Sequence, residues 1–278
     1  MLIVTALADL RRVEPLVWLT SQSVGLLVGG SLAIALLVAI GSRLAVRALV
    51  PDSEREGAHA VAAPLMPALG AAFAILTALT LASEAGALTS AQQIVSSEAA
   101  DSSRLAWAST MPGVSREPIQ AALGRYLRAT RTYEWHGSRA ANGDDPATVR
   151  AVAALERVVR SESVRPKLGT PTTTELLSAL DALTNDRRAR LAAASREPPS
   201  LYVITLVVSG VALIANAAAL TIRARRRVAL LIGGLTIVIG LSIALLFALG
   251  TPWRGAIVVS GHPIDAVIRD LANAYFRR

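Results

Sequence analysis

The sequence predicts an all-α membrane protein with four transmembrane helices and a helical extramembrane domain inserted between spans 2 and 3. Three observations lead to this fold class. Four long windows lack charged residues, in a chain that is 53% hydrophobic. A charged stretch with helical periodicity separates the second window from the third. Short loops rich in arginine join the two windows of each pair, as expected for cytoplasmic turns of transmembrane hairpins.

The first hairpin follows from the spacing of charges near the N-terminus. No charge occurs between Glu14 and Arg43, and about 20 apolar residues suffice to cross a hydrocarbon core. We therefore place the first span within residues 16–46. The second span is expected at residues 61–88, which lack a charge until Glu84.

The second span carries a series of hydroxyl side chains at Thr77, Thr80 and Ser83. We interpret the three as lying on one helix face. They then either donate hydrogen bonds to carbonyl groups of their own helix or face a polar crevice, and the first interpretation is favoured. If the second holds, they are candidate pore-facing residues.

The stretch after the second span predicts four helices of an extramembrane bundle. The first covers residues 91–109 and either stands alone or continues the second span outward. The second begins after the N-cap residue Ser115, and the third is capped by Asp145. The fourth is expected to open with a capping box formed by Thr172 and Glu175. Each helix has one apolar face, so together they can bury a bundle core.

The second hairpin and the tail complete the chain. Residues 198–222 and 228–253 are free of charge and flank an arginine cluster at 223–227. A short amphipathic helix is expected at 265–276. The predicted domains are, in order, the lead-in with the first hairpin, the extramembrane helical domain, the second hairpin and the interfacial tail: residues 1–88, 89–199, 200–250 and 251–278.

The orientation follows from the arginines. Cytoplasmic loops carry an excess of Arg and Lys, so we expect the short loops at 47–60 and 223–227 to be cytoplasmic. The domain at 89–199 and both termini are then extracytoplasmic. This predicts a multi-pass protein of the cell (plasma) membrane, with the lipid bilayer as its first partner.

Composition argues against several function classes. The formal net charge is +8, but the arginines concentrate at membrane edges and no recognition motif accompanies them, so we expect no nucleic-acid partner. The chain has no cysteine, which removes thiol nucleophiles and thiolate metal sites. Its three histidines, His59, His136 and His262, are far apart in sequence. We therefore predict no metal, no cofactor and no enzymatic activity.

Two carboxylates in the predicted bundle are candidates for buried groups. Glu134 lies between Tyr133 and Trp135, and we expect it to pair with an arginine such as Arg188. A structural ion pair is preferred to a catalytic acid because no second acid–base group accompanies it. The same reasoning applies to Glu98.

Several short motifs together resemble one family. They are Glu98-Ala99, then Tyr126 with Tyr133-Glu134-Trp135, then Arg187-Arg188-x-Arg190-Leu191, and finally Pro252-Trp253-Arg254-Gly255. In this order they resemble the bacterial bestrophin-like domain family, whose members are largely uncharacterised membrane proteins. The candidate motif or ion-pair residues are accordingly Glu98, Tyr126, Glu134, Trp135, Arg188, Pro252 and Gly255. The sequence departs from the family pattern in Trp253, where another aromatic residue is usual, and in residues 70–73, where a tyrosine is usual.

The resemblance implies a relation to bestrophins, which are pentameric anion channels, and therefore a homo-oligomer. One departure is the orientation, since bestrophins keep their helical domain in the cytoplasm. Two hypotheses remain. In the first, subunits surround a pore lined by the second span. In the second, the spans anchor a helical domain that binds an unidentified protein partner or senses envelope stress, without transport activity.

Overall fold

The structure is a computed structural model and describes residues 24–51, 53–135, 139–165, 168–196, 200–221, 226–250, 252–253 and 257–277. These residues form helices and connecting turns and contain no β-strand. The helices are α1 (Val24–Leu49), α2 (Arg55–Ala108), α3 (Arg116–Tyr133), α4 (Arg139–Asn142), α5 (Pro146–Ser163), α6 (Thr170–Ala194), α7 (Ser200–Leu220), α8 (Arg226–Leu249) and α9 (His262–Ala272). A 3₁₀ turn at Tyr275–Arg277 follows α9. The predicted all-α class is confirmed.

Four of these helices are long and apolar enough to cross a membrane: α1, α2 from His59 onward, α7 and α8. They coincide with the four predicted spans, although the first predicted span begins before the described residues. The 54 residues of α2 correspond to about 80 Å at 1.5 Å per residue. Because a hydrocarbon core is only about 30 Å thick, part of α2 must extend beyond it. The helix predicted at 91–109 therefore continues the second span.

The described residues divide into two compact units. Unit 1 contains α1, α2 through Gly86, α7 and α8. Its buried core is formed by Phe73, Leu206, Leu213, Ile214, Ile239 and Leu246. Gly240 of α8 allows α1 to approach closely, since a Cβ atom there would lie 3.2 Å from the Cα atom of Leu32.

One polar contact ties α7 to α2 within unit 1. The Asn216 Nδ2 atom donates a hydrogen bond to the carbonyl oxygen of Ala62 over 2.9 Å. Pro64 and Pro67 lie inside α2 close to this point. Proline removes a backbone donor from the helix, so the carbonyl groups four positions earlier, at residues 60 and 63, have no helix donor.

Unit 2 contains α2 from Ala87, α3 to α6, Pro252 with Trp253, and the segment from Val258 onward. α3 packs against α5 and α9, and α5 packs against α6. The largest fully buried apolar side chains of this core are Trp135, Trp253, Tyr126, Phe276, Leu105, Ile119, Leu123, Leu127, Leu155, Leu176 and Leu183. The predicted one-sided helices thus bury a common core.

The helix starts of unit 2 agree with prediction in part. The Asp145 carboxylate accepts hydrogen bonds from the backbone N–H groups of residues 147 and 148, which confirms the predicted cap. Ser115 occupies the N-cap position of α3 but makes no side-chain cap bond. The predicted capping box of α6 is wrong, because the helix begins at Thr170 and Glu175 instead accepts two hydrogen bonds from Arg104.

The C-terminal helix α9 begins at His262, three residues before the predicted start, with Pro263 in its first turn. It is attached to α3 by Arg131, whose Nε and Nη2 atoms donate to the two carboxylate oxygens of Asp265 over 2.7 and 3.0 Å. Gly261 leaves room for this pair, since a Cβ atom there would lie 2.3 Å from the Arg131 Cζ atom.

Candidate functional site

Unit 2 contains a largely buried cluster of charged and polar side chains that we call the charge cluster: Glu98, Tyr126, Glu134, Arg187 and Arg190. The Arg190 Nε atom donates to Glu98 over 2.7 Å, and its Nη2 atom donates to Glu134 over 3.1 Å. The remaining nitrogen of Arg190 contacts the Glu134 carbonyl oxygen over 3.3 Å. The Tyr126 hydroxyl donates to the second oxygen of Glu98 over 2.5 Å, and Arg187 donates to the second oxygen of Glu134 over 2.5 Å.

Electrostatics fix the protonation of two members of the charge cluster, Tyr126 and Arg190. Burial raises the pKa of Tyr126 well above its ordinary value, and the charge of Glu98 raises it further. Burial alone lowers the pKa of Arg190, but the charges of Glu98 and Glu134 and the hydrogen bond to Glu98 outweigh it and the pKa is raised. The tyrosine therefore stays protonated and the arginine stays charged near neutral pH. The cluster joins α2, α3 and α6 through the bonds of Tyr126 and Arg190 to Glu98.

The structure corrects the expected partner of Glu134. Arg188 is exposed and donates to Asn185 of its own helix over 3.1 Å, while Arg187 and Arg190 bind Glu134. Residues three apart share a helix face, whereas an adjacent residue is rotated by about 100°. Arg188 therefore points away from the face that carries its two neighbours.

Trp135 connects the charge cluster to the tail. Its buried ring lies edge to face with Trp253 at 5.3 Å between ring centroids. The Arg131 guanidinium lies 4.5 Å from the centroid of the Trp135 ring, within the range of a cation–π contact. Pro252 is buried and its carbonyl oxygen accepts a hydrogen bond from the N–H group of Val259 over 2.9 Å. Gly255 lies outside the described residues.

The three candidate pore-facing hydroxyls do not share one face of α2. Thr77 and Thr80 are buried within unit 1, and the Thr80 hydroxyl donates to the carbonyl oxygen of Leu76 over 2.6 Å. Ser83 is exposed. Three residues rotate an α-helix by about 300°, which is about 60° less than a full turn. Ser83 lies two such steps after Thr77, so the two side chains point about 120° apart. Of the three hydroxyls, Ser83 is therefore the one on the exposed surface of α2, and the pore-facing role of all three stays a prediction.

A different face of α2 is open along most of the helix, and we call it the outer stripe. Its residues recur at three- and four-residue steps and are all exposed. They are Pro64, Pro67, Ala71, Ala74, Ala78, Ala82 and Ala85 in unit 1, and Thr89, Gln92, Ser96 and Ala100 in unit 2. None is charged and none is a large aliphatic residue. Of the large exposed apolar residues of α2, Leu65 and Leu79 lie beside this stripe, whereas Ile75 lies at its edge, four residues after Ala71.

Within the described ranges, no group of three His, Asp or Glu side chains lies close enough to hold a metal ion. His59 and His262 are both exposed, and His136 lies outside the described residues. The described cavities of unit 2 add no such group of metal ligands either. The one bordered by Tyr126 and Arg187 has room for about 10 Å³ and is otherwise lined mostly by apolar side chains of α5 and α6.

Comparison with known proteins identifies the family. No curated protein and no solved structure matches the chain. The bestrophin-like domain matches residues 33–264, a range that contains all four candidate spans except the start of the first. It also contains the charge cluster and the outer stripe. A match of this extent, on a chain with four helices able to span a membrane, shows that the protein is a membrane protein belonging to the bestrophin-like family.

Proposed function

We propose that this chain is one subunit of an oligomeric membrane channel that conducts anions. The observation that carries the proposal is the outer stripe of α2. A helix face in contact with lipid usually presents large aliphatic side chains, and a face in bulk water usually presents charges. The outer stripe has neither, and small residues allow membrane helices to approach closely.

The stripe fits packing of α2 against its copies around a central axis. From Pro64 to Ala85 it offers small side chains, and from Thr89 to Ala100 it becomes polar but stays uncharged. A narrow passage bordered by such residues has no fixed charge that would repel an anion. The net charge of +8 favours a raised anion concentration near the protein. We propose anions rather than cations because bestrophins, to which the family is related, are anion channels.

Cysteine crosslinking tests the packing of the stripe, and the chain offers a clean background because it has no cysteine of its own. Ala78→Cys places a thiol on the outer stripe, and Leu79→Cys places one on the neighbouring exposed apolar face. We expect oxidation in native membranes to crosslink the Ala78→Cys chains and to leave the Leu79→Cys chains monomeric. Equal crosslinking of the two variants would contradict the proposal.

The mass of the purified complex distinguishes the two hypotheses. Native mass spectrometry in detergent is expected to give a ring-sized oligomer, pentameric above all. A monomer or a dimer leaves no central passage. Such a result would favour the alternative, in which the spans anchor a helical domain that binds an unidentified partner protein and transports nothing.

We further propose the membrane topology that the arginine-rich loops predict. In this topology residues 89–199 form a domain outside the bilayer, on the extracytoplasmic side of the cell membrane. Asp144 and Ser53 are exposed in the two regions that should lie on opposite sides. In intact cells, a membrane-impermeant thiol reagent should label Asp144→Cys and should not label Ser53→Cys. The opposite labelling would place the helical domain in the cytoplasm, as in bestrophins.

A further inference from the structure

Glu98 is buried on the face of α2 that lies opposite the outer stripe. Its side chain has no exposed surface, whereas Ser96 and Ala100 of the outer stripe are exposed. Two residues along an α-helix correspond to a rotation of about 200°, so Glu98 points about 160° away from each of these two neighbours. A contact that fixes the direction of Glu98 therefore also fixes the direction in which the stripe faces in unit 2.

Both carboxylate oxygens of Glu98 are held by other helices of unit 2. The Tyr126 hydroxyl of α3 donates to one oxygen over 2.5 Å, and the Arg190 Nε atom of α6 donates to the other over 2.7 Å. Arg190 is held in turn by Glu134 over 3.1 Å. Hydrogen bonds are directional, and those to charged groups are the stronger ones. The two bonds to Glu98 therefore resist a rotation of α2 about its own axis.

Apolar packing on the same face of α2 specifies the rotation of the helix less well. Small side chains let helices approach closely but form only shallow ridges and grooves. Apart from Glu98, the buried residues of α2 in unit 2 are two larger apolar residues and five small ones: Val95, Leu105, Ala91, Ala99, Ser102, Ala106 and Ala108. The one hydroxyl among them, Ser102, donates to the Glu98 carbonyl oxygen of its own helix and makes no bond to another helix there.

Two further polar contacts of α2 in unit 2 are weaker restraints. Arg104 binds Glu175 of α6, but 43% and 32% of these side chains are exposed, and exposed ion pairs contribute little. Gln120 of α3 donates to the Ala106 carbonyl oxygen over 3.4 Å, which is long for a hydrogen bond. The bonds of Glu98 are shorter than this and fully buried.

We propose that Glu98 is a positioning residue that sets the rotation of α2 in unit 2 and thereby selects which α2 side chains face the neighbouring subunit. This inference rests on the proposed packing of the outer stripe between copies of the chain. While Glu98 keeps its two bonds, Gln92, Ser96 and Ala100 face the neighbour. Without them, α2 rotates more freely and Ser97, which lies about 100° from Ser96, reaches the same surface.

Crosslinking of two adjacent serine positions in native membranes tests this role. Ser96 lies on the outer stripe, and Ser97 is exposed beside it. With Glu98 intact, oxidation should crosslink the Ser96→Cys chains and leave the Ser97→Cys chains monomeric. Glu98→Leu keeps a side chain of similar size and removes both bonds. In that background we expect the preference to be lost, so that the two cysteines crosslink to a similar extent.

Three other backgrounds separate positioning from a general loss of stability. The amide of Glu98→Gln can accept from Arg190 and donate to Tyr126, so this variant should keep the preference for Ser96→Cys. Glu175→Leu removes the exposed ion pair with Arg104 and should keep it as well. Tyr126→Phe removes one bond and leaves the ion pair, so it should reduce the preference in part, and it serves if Glu98→Leu does not fold.

The inference and the channel proposal fail in different ways. If Ser96→Cys alone crosslinks in the Glu98→Leu and Tyr126→Phe backgrounds, as it should with Glu98 intact, the positioning role is overturned and the packing of the stripe stands. If neither Ala78→Cys nor Ser96→Cys crosslinks with Glu98 intact, the packing itself is wrong and the positioning role falls with it.

Discussion

Replacement of Arg190 by methionine is the most informative change in the charge cluster. Arg190, Glu98 and Glu134 have no exposed side-chain surface. The replacement leaves Glu98 with only the Tyr126 hydroxyl, while Glu134 keeps its bond to Arg187. Removal of one partner of a buried ion pair costs about 3 to 5 kcal/mol. Because Glu134 keeps one cation, we expect the lower end, about 3 kcal/mol.

A loss of this size should be easy to measure. At roughly 2 to 4 °C of Tm per kcal/mol for a chain of this size, Arg190→Met should lower the Tm by about 6 to 12 °C. Intrinsic fluorescence during heating is a suitable assay, since the Trp135 ring lies 5.9 Å from the Arg190 Cζ atom. Full-length protein in detergent should be used for every variant.

Arg188→Met provides the control from the same helix. Arg188 is exposed, so its loss should change the stability by no more than about 0.5 kcal/mol. Replacing Glu98 by glutamine together with Arg190→Met should recover part of the loss, because the unpaired charge disappears. If Arg190→Met were as stable as Arg188→Met, the charge cluster would not hold the helices together and the argument from burial would fail.

Three further changes probe other contacts. Tyr126→Phe removes a donor to the buried Glu98 carboxylate and should cost about 1.5 to 3 kcal/mol, measured as a fall in Tm against the wild type. Gly261→Ala forces a methyl group onto the Arg131 guanidinium, and overpacking of this kind should cost about 1 to 3 kcal/mol; a Tm equal to that of the wild type would show that Arg131 can move aside. Asn216→Leu removes the polar contact between α7 and α2 and should cost about 1 kcal/mol in a detergent unfolding titration, while an unchanged midpoint would mean that the bond contributes nothing.

The fold class was accessible from the sequence because its signals are local. Charge-free windows predict spans from length and composition alone, and the Asp145 cap is recognisable because a short-range bond within two or three residues defines it. The capping box at Thr172 failed because Glu175 had a distant partner. Arg104 lies 71 residues earlier in the chain, and its two bonds to Glu175 outweighed the local preference.

The candidate site was predictable in three of its five members, but not in the two arginines that pair with the carboxylates. The sequence singled out Glu98, Tyr126 and Glu134, which the structure brings together around Arg190. Apolar periodicity shows which face of a helix is buried, but it does not show which side chains of two packed helices lie opposite each other. Arg188 was the predicted partner of Glu134, whereas the observed partners lie one position before it and two positions after it. A shift of one or two positions moves a side chain to a different face of the helix.

The outer stripe of α2 has a signal in the sequence that is less conspicuous than the hydroxyls of Thr77 and Thr80. Polar groups in a span are uncommon, whereas alanines are frequent throughout this chain. The alanines from Ala71 to Ala85 recur at steps of three and four, which is the more regular pattern.

Chloride flux through the purified protein in liposomes tests the central claim most directly. Vesicles loaded with potassium chloride and diluted into the sodium salt of a large impermeant anion should release chloride when they contain the oligomer and valinomycin carries potassium out to balance the charge. Without valinomycin they should release neither ion, because an anion channel gives potassium no path, and protein-free vesicles should release no chloride in either condition. If a preparation with the mass of a ring-sized oligomer releases no more chloride than protein-free vesicles, the chain is not an anion channel.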